Sequence, residues 1–219
     1  RVAREDGKFL DITLLAGGWR IRANKTVLVS LSPYLDGLLT SGLAESRQAG
    51  DELQIENAEG AALAAIVDCF YSGRLWLSHA TVGGVIRTAN LLQVSVIERA
   101  ACDFFVDSLE PSSACEALAF AAAHAECGEH ARTLHARSAG YVAAHFVECS
   151  REASFVRLPC EEVATLIGSD DLDAEEAAVL EALRAWFEHD STGRRQALKT
   201  LVPLVRWPFL PTAARLTLR

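Results

Sequence analysis

The sequence predicts an α+β chain that is mostly α, with a small sheet flanked by helices in its first half and an all-helical second half. Three observations predict this. Residues 9 to 23 alternate loosely about a glycine pair, the apolar residues change to a helical period from Ala61, and no stretch of period two is visible from Ser112 to Leu210. Side chains alternate faces along a strand and return to one face of a helix every three or four residues, so the change of period marks a change of structure.

Ile12 and Leu14 precede the pair Gly17-Gly18, and Trp19, Ile21 and Ala23 follow it. Adjacent glycines take positive φ without steric cost, which predicts a β-hairpin. Glu52 to Ile55 is the second strand candidate. Leu63, Ile66, Val67, Phe70 and Tyr71 then fall at i, i+3, i+4, i+7 and i+8, one face of a helix that Gly73 stops. Thr81 is the expected N-cap of a helix carrying Val82, Val85, Ile86, Ala89 and Leu92, and Val96 to Leu109 is a third helix before Pro111.

In the second half, helical segments are expected near 113 to 127, 129 to 145, 151 to 156, 159 to 168, 173 to 189 and 193 to 202. The clearest is 173 to 189. There Asp173 is expected to cap, Glu176 sits three residues on, and Val179, Leu180, Leu183, Trp186 and Phe187 form a wide apolar stripe. The boundary expected at Pro111 divides the chain into domains 1–110 and 111–219.

Half of the 219 residues are hydrophobic, enough to build the core of one large domain or two ordinary ones. A net charge of -8 argues against nucleic acid as a partner. No apolar stretch approaches the roughly 18 residues that cross a bilayer, and the opening RVAREDGKF is unlike a signal peptide, so no membrane partner is expected. Six dispersed cysteines without a C-x-x-C pair fit a reduced setting, cytoplasmic or nuclear. The absence of methionine suggests a piece of a longer protein.

The sequence carries no Gly-x-Ser-x-Gly elbow, phosphate-cradling loop or His-Glu-x-x-His helix, so no catalytic residue, no cofactor and no enzyme activity of its own is expected. His124, Cys127 and His130 invite a metal reading, but Gly128 interrupts them and no fourth ligand is evident. Metal ligands are therefore not expected. Glu126 and Glu129 beside Cys127 disfavour its thiolate, which makes a buried cysteine the better reading than a redox-sensitive one.

The stretch DITLLAGGWRIRANKTVLVSLSPYLDGLLTSGLAES, Asp11 to Ser46, resembles the core of a BTB domain: an Asp-led hairpin, a Val-Leu helix, Ser-Pro-Tyr and a Ser-Gly-Leu-x-Glu-Ser tail. AIVDCFYSGRLWL resembles that family's helix-Tyr-x-Gly-x-Leu segment, and TANLLQVSVIERAACDFFVDSL its next helical pair. The second half resembles the BACK domain of kelch-like proteins at YVAAHF, FVRLP, LIGSDDLDAEEAAVLEALRAW, the pair Arg194-Arg195 and LVRWPFL. The resemblance spans nearly the whole chain and implies a BTB/POZ domain followed by a BACK domain, with a kelch propeller expected downstream. Two departures bear on local hydrogen bonds. Ala23-Asn24 stands where the family usually has Ala-His, and Ala114-Cys115 where it has Asn-Cys.

The resemblance implies a substrate adaptor of a cullin-3 ubiquitin ligase, which homodimerises through BTB, binds cullin-3 and presents a protein substrate on the propeller. Leu43-Ala44-Glu45 matches the family's hydrophobic-x-Glu cullin motif. The implied cullin-binding residues are Leu39, Ser41, Leu43, Glu45 and Tyr71; the implied dimerisation residues are Phe9, Asp11 and Lys25. Arg1 to Phe9 would retain only the end of a segment that the family exchanges between subunits. Against these stand plainer readings: Leu43 packed inward, Tyr71 a core residue with its hydroxyl at the surface, Asp11 and Lys25 unpaired at the surface. The alternative function is a BTB-BACK oligomerisation scaffold, or a transcription-related protein, that does not bind cullin.

Overall fold

The computed structural model describes residues 9–40, 48–49, 51–124 and 128–210. The chain divides into two compact units, 1–105 and 106–219.

In the first unit, β1 (Ile12–Ala16) and β2 (Trp19–Ala23) form the expected hairpin, paired antiparallel from Ile12↔Ala23 to Ala16↔Trp19. Gly17 and Gly18 make the two-residue loop with φ of 52° and 81°, the positive values that let a tight turn follow the twist of the strands. Ile12, Leu14 and Ala16 of β1 and Ile21 and Ala23 of β2 are buried, so period two has the meaning the sequence suggests. Next come α1 (Lys25–Leu31) and α2 (Pro33–Thr40). The strands β3 (Gln48–Ala49) and β4 (Glu52–Gln54) complete a sheet of order β2-β1-β4-β3. β4 lies parallel to β1, with Leu14 opposite Leu53.

Ser32 joins the two short helices. It is fully buried, its hydroxyl donates to the Leu92 carbonyl at 2.7 Å, and it accepts the Leu35 N–H at 3.2 Å. Both hydrogen-bonding capacities are used, as a polar group inside a core requires.

Helix α3 (Gly60–Ser72) ends at Gly73, which caps in the left-handed conformation at φ 67° and donates its N–H to the Cys69 carbonyl. A Cβ at Gly60 would lie 2.3 Å from Trp19 Cδ1 and 2.5 Å from the Ala16 carbonyl oxygen, so glycine is required where this helix meets the hairpin. Helix α4 (His79–Leu91) is capped three residues before the expected position. Ser78 is the N-cap and Thr81 the third helical residue, the two closing a reciprocal capping box. Helix α5 is Ser95–Asp107.

Among the described residues, the regular elements of the second unit are all helical: α6 (Pro111–Ala123), α7 (Glu129–Ala144), α8 (Phe146–Ser150), α9 (Cys160–Gly168), α10 (Glu176–His189) and α11 (Leu198–Leu201), with 3₁₀ turns at Phe155–Arg157, Val202–Leu204 and Trp207–Phe209. Its core gathers Leu118, Val142, Phe146, Phe155, Val163 and Trp186.

Three expectations are corrected here. No helix runs over 151 to 156; α8 precedes that stretch and a 3₁₀ turn ends it. The rings of Phe146 and Phe155 meet edge to face with centroids 5.7 Å apart. Nine residues along one helix would set them about 13 Å apart and on opposite sides, so the chain must turn between them. Asp173 does not cap α10. The helix begins at Glu176, whose carboxylate accepts the Arg206 N–H at 2.6 Å instead of closing a capping box. The segment 193 to 202 is helical only at Leu198–Leu201, because Asp190 Oδ1 accepts the Gly193 N–H and Arg194 is drawn back to Trp186.

Candidate protein-interaction surface

The first unit gathers four of the singled-out residues around one side chain that was noted only as a departure. Asn24 lies between β2 and α1 in extended conformation and is the N-cap of α1; its Oδ1 accepts the Val27 N–H at 3.3 Å. Asn24 Nδ2 donates to the Phe9 carbonyl at 2.7 Å, and its main-chain N–H donates to the Tyr71 hydroxyl oxygen at 2.8 Å. Next to it, Asp11 Oδ1 accepts the Lys25 N–H at 2.7 Å, and the Asp11 N–H donates to the Ala23 carbonyl at 3.1 Å.

This arrangement follows from local chemistry. The first N–H groups of a helix have no partner within it, and a short side-chain acceptor before the helix supplies one. Asn24 and Asp11 divide that task, and the Asp11 carboxylate also sits at the positive end of α1. Asp11 and Lys25 are therefore joined through the lysine's main chain. Asp11 is exposed and Lys25 half-buried in the single chain. Tyr71 is half-buried, at the last turn of α3, with its ring between solvent and fold.

Phe9 is 79 % exposed and holds a positive φ of 62°, presenting a large apolar ring outward beside this network. Trp76, which sequence reasoning did not single out, is 81 % exposed in the link between α3 and α4. A tryptophan among Arg74, Leu75 and Leu77, outside any periodic stretch, was the available signal. Exposed aromatics suit protein partners, since they offer large contact area at low conformational cost. Leu39 is half-buried on α2, beside the inward-facing Leu35 and Leu38. Ser41, Leu43 and Glu45 lie outside the described residues.

Flanking charges are paired at the surface: Arg20 with Glu52, and Arg87 with Glu59 at 3.1 Å. Such exposed pairs contribute little stability, about 0 to 1 kcal/mol each. Among the described residues no three His, Cys, Asp or Glu side chains converge as metal ligands would, and Cys127 lies outside them. His124 stacks on Phe120 with centroids 4.3 Å apart, its Nδ1 2.7 Å from the Phe120 carbonyl. No described helix is long and apolar enough to cross a membrane.

Comparison with known proteins places both units. A BTB/POZ domain model matches residues 2–109, and a BACK model (BTB And C-terminal Kelch) matches residues 114–217. Kelch-like protein 5 of Homo sapiens is 36% identical over 201 residues, covering 91% of this chain and 26% of that protein. Kelch-like protein 17 of Homo sapiens is 33% identical over 208 residues, with 94% and 31% covered. Kelch-like protein 3 of Danio rerio is 33% identical over 201 residues, with 91% and 32% covered. The chain thus spans about a quarter to a third of the length of these curated relatives. Among solved structures, the BTB (Tramtrack and Bric a brac) domain of human Gigaxonin matches with a TM-score of 0.41 and 23% identity, covering 47% of this chain and 83% of that one. With a BTB/POZ match over its first half and a BACK match over its second, the chain belongs to the kelch-like family of BTB-BACK proteins.

Proposed function

We propose that this chain is the BTB-BACK part of a substrate adaptor for a cullin-3 ubiquitin ligase, working in the cytoplasm and performing no chemistry itself. It homodimerises through the surface that carries Phe9, Asp11 and Lys25. It binds the N-terminal region of cullin-3 through Leu39, Ser41, Leu43, Glu45 and Tyr71. A kelch propeller beyond this chain takes the protein substrate. The recruited enzymes, not this chain, transfer ubiquitin.

The observation that supports this reading is the continuity of the Asn24 network, in which one side chain ties the Phe9 segment to α1 while its main chain holds the Tyr71 hydroxyl. Residues assigned to self-association and a residue assigned to the cullin thus share one hydrogen-bonded support. A two-fold dimer uses each such surface twice, so small gains per subunit are doubled. The sequence Leu43-Ala44-Glu45 offers a partner helix an apolar anchor and a charge that penalises wrong partners.

Titration calorimetry of the dimeric chain with an N-terminal fragment of cullin-3 tests it. The expected result is measurable heat with the parent chain and none with Leu43→Asp, at an unchanged melting temperature. Binding retained by Leu43→Asp would overturn the proposed site. No heat from the parent chain would replace the adaptor by a BTB-BACK oligomerisation scaffold that does not bind cullin.

A further inference from the structure

We propose that Cys115 and Cys149 form a paired oxidation site in the second unit, two thiols that close to an intrachain disulfide when the protein meets a hydroperoxide. This inference is independent of the cullin reading. Both cysteines are free and fully buried, one on α6 and the other on α8. The Cys115 thiol donates to the Cys149 main-chain carbonyl, with Sγ 3.9 Å from that oxygen, so α6 and α8 meet at the two cysteines. The buried Ser154 hydroxyl lies near the Cys115 thiol and has no hydrogen-bond partner among the described residues.

The pair is electrostatically uneven. The neighbouring Cys115 thiol holds the Cys149 ionisation below its ordinary value, against burial and the nearby Glu148 and Glu152. Proximity to Cys149, together with burial, pushes Cys115 up. A thiolate is the nucleophile in sulfur oxidation, so Cys149 attacks first. Its sulfur takes one oxygen of the hydroperoxide, the O–O bond breaks, and the other oxygen leaves as water or alcohol. The Cys115 sulfur then attacks the Cys149 sulfenic acid, its proton goes to the departing hydroxyl, and water leaves as the S–S bond forms. Two thiols lose two electrons and two protons; the hydroperoxide gains both.

Burial sets the condition for access. Helix α8 has only five residues and is followed by irregular chain, and a cavity of about 280 Å³ lined by Val147, Ser150, Arg151 and Glu152 lies along that stretch. A short element beside a cavity opens locally at lower cost than a long packed helix. Hydrogen peroxide is small enough to use such an opening.

The experiment treats the reduced, folded chain with graded hydrogen peroxide, alkylates it, digests it without reduction and maps the peptides by mass spectrometry. The expected product is a peptide pair joined through Cys115 and Cys149, lost on reduction, leaving four of the six cysteines alkylatable. The oxidised chain should melt at a higher temperature than the reduced one. Cys149→Ala should abolish the linked pair and leave Cys115 alkylatable, whereas Cys102→Ala should change neither. Three results would each overturn the proposal: both thiols recovered unlinked while exposed cysteines are oxidised, a link from Cys115 to another cysteine, or a link formed only after unfolding in urea.

Discussion

Replacing Arg194 by alanine should unfold the second unit early, because this half-buried residue makes three contacts at once. Its guanidinium stacks over the Trp186 ring at 3.9 Å from the centroid, one terminal nitrogen donates to the Trp186 carbonyl, and the other donates to the Val156 carbonyl at 2.7 Å. Trp186 lies in the last turn of α10, where carbonyls lack partners within the helix and favour a positive charge. Burial pushes the Arg194 ionisation down from its ordinary value, which marks a cation held partly out of water. Two charge-assisted hydrogen bonds at about 1 kcal/mol each after solvent screening, and about 1 kcal/mol for the stack, give a loss of about 3 kcal/mol. For a unit of this size that corresponds to roughly 10 °C in melting temperature. Urea unfolding followed by circular dichroism, with the fluorescence of buried Trp186 as a second probe, measures it. Arg194→Lys keeps the charge but not the planar fork, so it should recover less than half of the loss. An Arg194→Ala chain within about 0.5 kcal/mol of the parent, or a lysine variant as stable as the parent, would refute the reasoning.

Asp11→Ala should lower the dimer fraction in sedimentation and cost about 1 kcal/mol by freeing the first turn of α1, while Asp11→Asn, which keeps the acceptor for the Lys25 N–H, should restore the stability. An unchanged sedimentation profile for both variants would remove Asp11 from the proposed dimer interface. Gly60→Ala should cost about 1 to 3 kcal/mol in urea unfolding, since the new Cβ meets the Ala16 carbonyl at 2.5 Å and backbone cannot move aside as a side chain can; a loss below the scatter of the assay would contradict the close approach. Burial, with Glu98 and Asp103 adding to it, pushes the Cys102 thiol up to about 12 from 9.0. Its contribution to stability should be complete below about pH 9 and decline as pH rises toward about 12, because the unfolded chain ionises first. The urea midpoint should therefore fall less steeply above pH 9 in Cys102→Ala than in the parent, and parallel curves would count against it.

What the sequence reveals here is what is decided locally. Gly17-Gly18 and Gly73 each supply a backbone conformation that few other residues adopt, and the hairpin and the end of α3 fall where those glycines predict. The β1–β4 pairing was not legible, because nothing in residues 12–16 says that Leu53 will lie beside Leu14. The misplaced caps have different causes. At α4 the choice is local, since Ser78 and Thr81 close a box on each other, whereas at α10 the Glu176 carboxylate is taken by the distant Arg206 N–H. The resemblance names Phe9, Asp11, Lys25 and Tyr71, and the fold brings these four together around Asn24. Asn24 was visible only as a departure, since its three hydrogen bonds reach residues 9, 27 and 71, which no window along the chain brings together.

The parallel partnership of β1 and β4 sets a timetable for the nascent chain. The hairpin closes over two residues and is complete once Ala23 has been synthesised, whereas the other edge of β1 waits for Glu52 to Gln54, about thirty residues later. Until then Thr13 and Leu15 present unpaired main-chain groups to whatever strand is nearby, which is the hazard of any open sheet edge. At ribosomal rates of about 5 to 20 residues per second that window lasts a few seconds, long enough for two chains growing side by side to pair with each other before either sheet is finished.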